Sequence, residues 1–213
     1  MTTETMTIHK ALAELKLLDS RINKEIRNGA YVAGKKHSDK LINGIPVDEV
    51  VENIKALYAK VTDLIKRRKA LKRAVVLSNA KTEVEIAGVK YTVAEAIEMK
   101  NHGLELDKCL KLAMNNRYAD LAMTAASVNG EALEKRADQY ITSLYGQKDG
   151  KNISAEVEET RKKFIESNRF EIIDPLKVQD IISNMDDYIN SFMAEVDSAL
   201  SVSNALTEIT IEY

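Results

Sequence analysis

The sequence predicts a mainly α protein in which long antiparallel helices form a coiled-coil bundle and a small β element completes the fold. The composition supports this class, because 30% charged residues, 5% aromatic residues, two prolines and no tryptophan are typical of helical bundles. The spacing of apolar residues supports it further. Between 47 and 75 they recur at alternating steps of three and four, which is the 3.5-residue period of a coiled-coil seam.

The longest helix is predicted from 47 to about 77, and a single charged residue, Arg68, interrupts its seam. An unpaired charge there would be costly, so we expect Arg68 to bind a buried carboxylate, to set the helix register or to face a ligand at an oligomer interface. Asp107 is a candidate partner. The seam could close within one chain or between subunits. Its apolar members are Val47, Val50, Ile54, Leu57, Val61, Leu64, Leu71 and Val75.

A first helix is predicted to precede this one. Thr7 can cap its start and Asn28-Gly29 can end it. The connector 30–46 follows, and its Asn43-Gly44 pair predicts a tight turn. The first helix carries an apolar stripe of Ile8, Leu12, Leu15, Leu18, Ile22 and Ile26.

Three short segments predict the β element. Residues 82–92 alternate apolar and polar side chains around Ala87-Gly88, which predicts a β-hairpin. Residues 170–173 and 207–212 are predicted to be short strands. Because a strand at 207–212 would fray alone, we expect it to pair with the hairpin or with 170–173.

The second half of the chain also predicts helices. Thr92 and Glu95 have the spacing of a capping box, which starts a helical segment that continues to about 145. This segment is either one kinked helix or two helices in tandem, and we favour one long helix with a break near 129–130. A turn at 146–151 follows this helix.

Ser154 is expected to cap a highly charged helix that ends near Asn168, and Asp174-Pro175 to begin the last helix. Together these elements predict a single elongated helical domain over 1–213, with a small sheet at one end.

Charge and cysteine content exclude several classes of protein. Lys and Arg total 31 against 33 Asp and Glu, so no strong field attracts nucleic acid or an anionic membrane. A single cysteine, Cys109, excludes an intrachain disulfide framework, and we interpret it as a small buried hydrophobe. No signal peptide and no long apolar run are present. We therefore expect a cytoplasmic protein without membrane contact.

No pattern of catalytic or metal-ligating residues is visible. The histidines, His9, His37 and His102, are too far apart in sequence for a metal motif, and we expect them on the surface. The adjacent carboxylates Asp186-Asp187 point in different directions on a helix, which does not suit general acid–base chemistry. The sequence thus predicts no catalytic residue, no metal site and no cofactor.

The densest charge cluster lies at 66–73, where six of eight residues are basic. We favour an ion-paired or solvated helix face for it. The alternative is a weak anion-binding site for a phosphate-bearing ligand. Of the possible partners we favour nucleic acid least, because the cluster has no aromatic neighbours for base stacking. The candidate anion-binding residues are Lys66, Arg67, Arg68, Lys72 and Arg73.

The order of several short segments resembles a known family. These segments are ALAEL at 11–15, SNA at 78–80, YTVAEAI at 91–97, FEIIDP at 170–175 and SNALTEI at 203–209. They resemble the septicolysin-like family of bacterial proteins, which implies a helical coiled-coil body with a small β element. The chain is also similar to short proteins encoded by phages of Gram-positive bacteria.

Two functions are consistent with these patterns. The first is a non-enzymatic, homo-oligomeric structural or interaction protein, which the resemblance suggests to be a phage virion or assembly component with phage structural partners. It would act in the host cytoplasm or in the virion. The second is an oligomeric binder, or sponge, of a phosphorylated small molecule or nucleotide signal, and this binder would act against host defence. Arg68 and the basic residues around it are the observation that suggests this function.

Overall fold

The computed structural model describes residues 2–146 and 155–213. It confirms a mainly α fold with small antiparallel strand pairs. The chain divides into two compact units, Met1–His102 with Asn190–Tyr213 and Gly103–Ile189. The expectation of a single domain over 1–213 stays a prediction.

Helix α1 (Ile8–Asn28) and helix α2 (Val47–Asn79) form an antiparallel pair. Thr7 caps α1 as predicted, because its Oγ1 accepts a hydrogen bond from the Lys10 N–H at 3.3 Å. Every seam position of α2 is buried or half-buried in the single chain. Three ion pairs show that the helices are antiparallel, namely Glu14 with Arg67, Asp19 with Arg68 and Glu25 with Lys60.

Strand β1 (Thr3–Thr7) pairs antiparallel with the last strand of the chain, Glu208–Glu212. The prediction that this last strand pairs with the hairpin or with 170–173 is therefore wrong. The alternation that predicts the strand also gives it one apolar face, and Met6 on β1 completes that face over the helices. The buried cluster there consists of Met6, Ile8, Ala11, Leu15, Leu71, Val75, Ile209 and Ile211.

Two further strand pairs are tight hairpins. Strands β2 (Leu41–Ile42) and β3 (Ile45–Pro46) enclose the predicted Asn43-Gly44 turn, at which φ is 49° and 84°. Strands β4 (Glu83–Ile86) and β5 (Val89–Thr92) form the predicted hairpin. In the described residues the strands therefore form three separate pairs rather than one small sheet.

The hairpin leads directly into helix α3 (Val93–Glu98). The predicted capping box is present: the Thr92 N–H donates to the Glu95 carboxylate at 2.7 Å, and the Glu95 N–H donates to the Thr92 hydroxyl at 3.2 Å. The bond from the Thr92 backbone lowers the pKa of Glu95. A π-helical turn, Met99–Gly103, then interrupts the predicted long helix.

Helices α4 (Glu105–Val128) and α5 (Glu131–Tyr145) are separated by the predicted break at 129–130. Asn129 explains why 170–173 is not a strand, contrary to the prediction. Its amide donates to the Phe170 carbonyl and accepts from the Phe170 N–H, both at 2.9 Å. These bonds satisfy the backbone groups that a neighbouring strand would otherwise bind.

The last two helices are α6 (Ala155–Asn168) and α7 (Val178–Leu206), and the chain ends with strand β6 (Glu208–Glu212). The predicted cap Ser154 and residues 147–151 of the predicted turn lie outside the described residues. The last helix begins three residues after Pro175 rather than at it. The Asp174 carboxylate accepts the Val178 N–H at 3.0 Å, which satisfies the first free backbone donor of α7.

Candidate functional site

The five predicted anion-binding residues all lie on α2, but their side chains have different surroundings. Arg67 is the least exposed, with 17% of its side chain accessible. Its Nε donates to the Glu14 carboxylate at 2.5 Å, and its Nη2 donates to the Glu4 carboxylate at 2.8 Å. The guanidinium also donates to the Tyr213 hydroxyl. Arg67 therefore joins β1, α1, α2 and the residue that follows β6.

The carboxylates around Arg67 keep it charged. The hydrogen bond to Glu14 and then that to Glu4 raise the pKa of Arg67, against the opposing effect of its burial. A guanidinium that already binds two carboxylates has few donors left for a phosphate. This geometry favours the ion-paired interpretation of Arg67.

Arg68 binds Asp19 of α1 through two of its nitrogens. The predicted partner, Asp107, is wrong, because α1 is the helix that packs antiparallel along this part of α2. Arg68 is also less buried than its seam position suggests, since 38% of its side chain is accessible. Its long stem reaches the edge of the seam, where the charge stays near water. The hydrogen bond between Arg68 and Asp19 lowers the pKa of Asp19 and raises the pKa of Arg68.

The three other predicted site residues are exposed. Lys66 forms an ion pair with Asp63 at 3.5 Å, in which both side chains are about 70% accessible. Lys72 and Arg73 form no ion pair with any residue that the structure describes. The structure thus directs Arg67 and Arg68 toward carboxylates and leaves the other cations in water. The anion-binding site stays a prediction.

Two residues beside Arg67 could not be predicted from local patterns, namely Glu4 of β1 and Tyr213, which follows β6. A usable signal is present in residues 3–7, TETMT, where three threonines alternate with other side chains, as in a strand. Its partner lies about two hundred residues further along the chain, which no local pattern reveals.

Metal and membrane sites receive no support from the described chain. His9, His37 and His102 are exposed, as predicted. Within residues 2–146 and 155–213, no three metal-ligating side chains lie close enough to hold an ion. None of the helices described is both long and apolar enough to cross a membrane.

Helix α4 offers a second candidate surface. Its half-buried face includes Lys111, which binds Asp186 of α7, and Asp107, which lines a groove with Met185 of α7. The opposite face has coiled-coil spacing, with steps of three, four, three, four and three. All six residues on that face are exposed. We call them the outer stripe: Cys109, Leu112, Asn116, Ala119, Met123 and Ala126.

The outer stripe corrects the interpretation of Cys109, which is exposed rather than buried. Apolar residues lie on more than one face of α4, and the structure half-buries only the face that carries Asp107 and Lys111. None of the 24 residues of α4 is buried.

The comparisons with known proteins add no relative. No family model, no curated protein and no solved structure matches this chain. The resemblance to the septicolysin-like family and to short phage proteins stays an expectation.

Proposed function

We propose that this protein is a non-enzymatic interaction protein that associates with further copies of itself through the outer stripe of α4. The exposure of that stripe carries the proposal. Leu112 is 58% exposed and Met123 is 72% exposed. Burying one such side chain contributes about 1.5 to 3 kcal/mol, so a second helix that covers the stripe gains substantial free energy.

Asn116 supports a paired arrangement. It stands in the middle of the stripe, with two members before it and three after it. A single asparagine at a seam position of a coiled coil specifies register and oligomer state at a cost in stability. A helix face that stays in water does not require apolar residues on both sides of a single asparagine.

The charges beside the stripe fit an antiparallel second copy. In the alignment that sets Leu112 opposite Met123 of the second copy, Arg117 lies near Asp120 of that copy, and the reverse holds by symmetry. Both residues are exposed and form no ion pair with the part of the chain that the structure describes. The antiparallel pair therefore gains two complementary contacts.

Sedimentation velocity between 1 and 100 μM tests the proposal. We expect a dimer or larger species in the full-length chain, and a monomer in the double variant Leu112→Glu/Met123→Glu. Val32→Glu is the matched control, because Val32 is 85% exposed but lies on the connector after α1. A monomer at 100 μM, or equal effects of the stripe and control variants, would contradict the proposal.

The setting in which such an assembly acts is a phage particle or its assembly in the host cytoplasm. The reason for this part of the proposal is the resemblance to short phage proteins that the sequence suggests. Mass spectrometry of purified virions of a phage that encodes the chain tests it, with absence from both virions and assembly intermediates as the contrary result.

A second candidate function is the binding of a phosphorylated small molecule by the exposed cations of α2. Lys69, Lys72 and Arg73 favour it, because they are exposed and form no ion pair within the described residues. A ligand at a hundredfold excess over its Kd stabilises a protein by about 2.7 kcal/mol. Thermal unfolding with nucleotides and pyrophosphate should show this gain, and the triple alanine variant should lose it. No gain with any phosphate ligand would eliminate this function.

A further inference from the structure

Strand β6 uses only one of its two edges. Thr2 and Tyr213 exchange backbone hydrogen bonds of 3.1 and 3.2 Å, and the Ile8 N–H donates to the Thr207 carbonyl at 2.9 Å. In an antiparallel pair, residues that bond the partner alternate with residues whose backbone groups point away. Ile209 and Ile211 therefore bond β1, and the alternate residues of β6 point their N–H and C=O groups to the other side.

Three residues form this free edge, Glu208, Thr210 and Glu212. No backbone partner for them exists in the part of the chain that the structure describes. Each exposes one donor and one acceptor, which is a template for another strand. A two-stranded sheet is only marginally stable in water, so a third strand would also stabilise the pair.

The free edge borders an open groove of about 520 Å³ along α2. Ala70 and Ala74, one helical turn apart, leave room beside the strand, and Leu77, which is 50% exposed, adds an apolar surface. The exposed Arg73 also lines the groove. We call this space the β6 groove. An added strand would place every second side chain over these helix residues, which suits apolar side chains.

The outward side chains of β6 select the partner by charge. Glu208 and Glu212 are exposed and form no ion pair with a described residue. A second copy of β6 is a poor partner, because antiparallel pairing about Thr210 sets Glu208 opposite Glu212 of the copy twice, and like charges opposite one another are destabilising. Lysine or arginine at the outward positions of the added strand would instead pair with both carboxylates.

We propose that the β6 groove binds an extended segment of a partner protein in which apolar and basic residues alternate, as a third strand on β6. This surface is separate in sequence and in chemistry from the outer stripe of α4. Main-chain hydrogen bonds supply affinity, and the alternation of side chains supplies specificity.

Fluorescence anisotropy with the full chain and labelled decapeptides tests this proposal. A peptide that alternates lysine and valine should bind saturably, and one that alternates glutamate and valine should not. The double variant Glu208→Lys/Glu212→Lys should bind the lysine–valine peptide at least tenfold more weakly than the wild-type protein does, and it should bind the glutamate–valine peptide. Both changes are at exposed positions, and far-UV circular dichroism checks that the variant is folded. An unchanged preference in the variant would overturn the proposal.

Backbone methylation of the peptide distinguishes strand addition from simple charge attraction. One peptide carries N-methyl groups on its lysines and another on its valines. Only one set faces β6, the lysine set for antiparallel addition and the valine set for parallel addition. Loss of binding with one set and its retention with the other supports strand addition. Equal effects of the two sets overturn it.

Discussion

The guanidinium carbon of Arg67 lies 4.7 Å from the centroid of the Tyr213 ring. This stacking, together with the bonds to Glu4 and Glu14, ties the last strand to the helical pair through one cation. Arg67 is thus a structural residue of the β1–β6 end of the first unit, and its environment differs from that of the neighbouring cations on α2.

Arg67→Met should lower the free energy of unfolding by about 2 kcal/mol, because hydrogen bonds to charged groups contribute about 1.5 to 3 kcal/mol each when partly buried. Urea denaturation measures this change. Arg73→Met is the matched control on the same helix, since Arg73 is exposed and forms no ion pair in the described chain. Equal losses in the two variants would show that the contacts of Arg67 do not stabilise the fold.

Asp19 should make stability depend on pH in the acid range. Its folded pKa lies below the ordinary value of 3.8, mainly because Arg68 donates a hydrogen bond to it. The stabilisation is therefore complete above that ordinary value and is lost as pH falls through the lower folded pKa. Thermal unfolding is measured from pH 7 to pH 2.5. We expect the wild-type protein to have a higher melting temperature than Asp19→Asn at neutral pH, and the difference between the two melting temperatures to vanish in acid. A difference independent of pH would contradict the assignment.

Asn129→Ala should lower the free energy of unfolding by about 1 to 3 kcal/mol, because it leaves the N–H and C=O of Phe170 without their partners. The Phe170 amide should also exchange its hydrogen faster, which mass spectrometry or NMR can follow. Asn23→Ala provides the control, since the Asn23 amide is exposed and donates to one carbonyl of its own helix. Unchanged exchange at Phe170 would refute the role of Asn129.

Asn116→Leu should tighten self-association about tenfold if the outer stripe is the interface, because an apolar side chain replaces an amide in the seam. Sedimentation equilibrium measures the constant. Asn115→Leu changes the adjacent exposed asparagine, which lies beside the stripe, and should have a smaller effect. A larger effect of Asn115→Leu would place the interface on another face of α4.

The helices and the hairpins could be predicted from sequence because their signals are local. The seam of α2, the Thr92–Glu95 capping box and the Asn43-Gly44 turn each occupy one continuous segment, and the structure confirms all three. The prediction of a strand at 170–173 is wrong, because the sequence of an apolar segment does not indicate whether a strand or an asparagine side chain binds its backbone.

Candidate sites were harder to predict, because they depend on which face of a helix is covered. The basic cluster of α2 is continuous in sequence, but α1 provides carboxylates only on the side of Arg67 and Arg68. Cys109 fits an apolar pattern, but α4 has apolar residues on two faces and the structure covers one of them. The free edge of β6 required the pairing with β1 to be known.

The pairing of Thr2 with Tyr213 also determines when this protein can finish folding. Residues 3–7 are synthesised about two hundred residues before the strand with which they pair. Until then Met6 and Ile8 lack the isoleucines that cover them, whereas α1 and α2 can already pack together. Contacts so distant in sequence form slowly, so closure of the β1–β6 pair should be a late step of folding. During synthesis the incomplete apolar cluster is exposed, which favours aggregation.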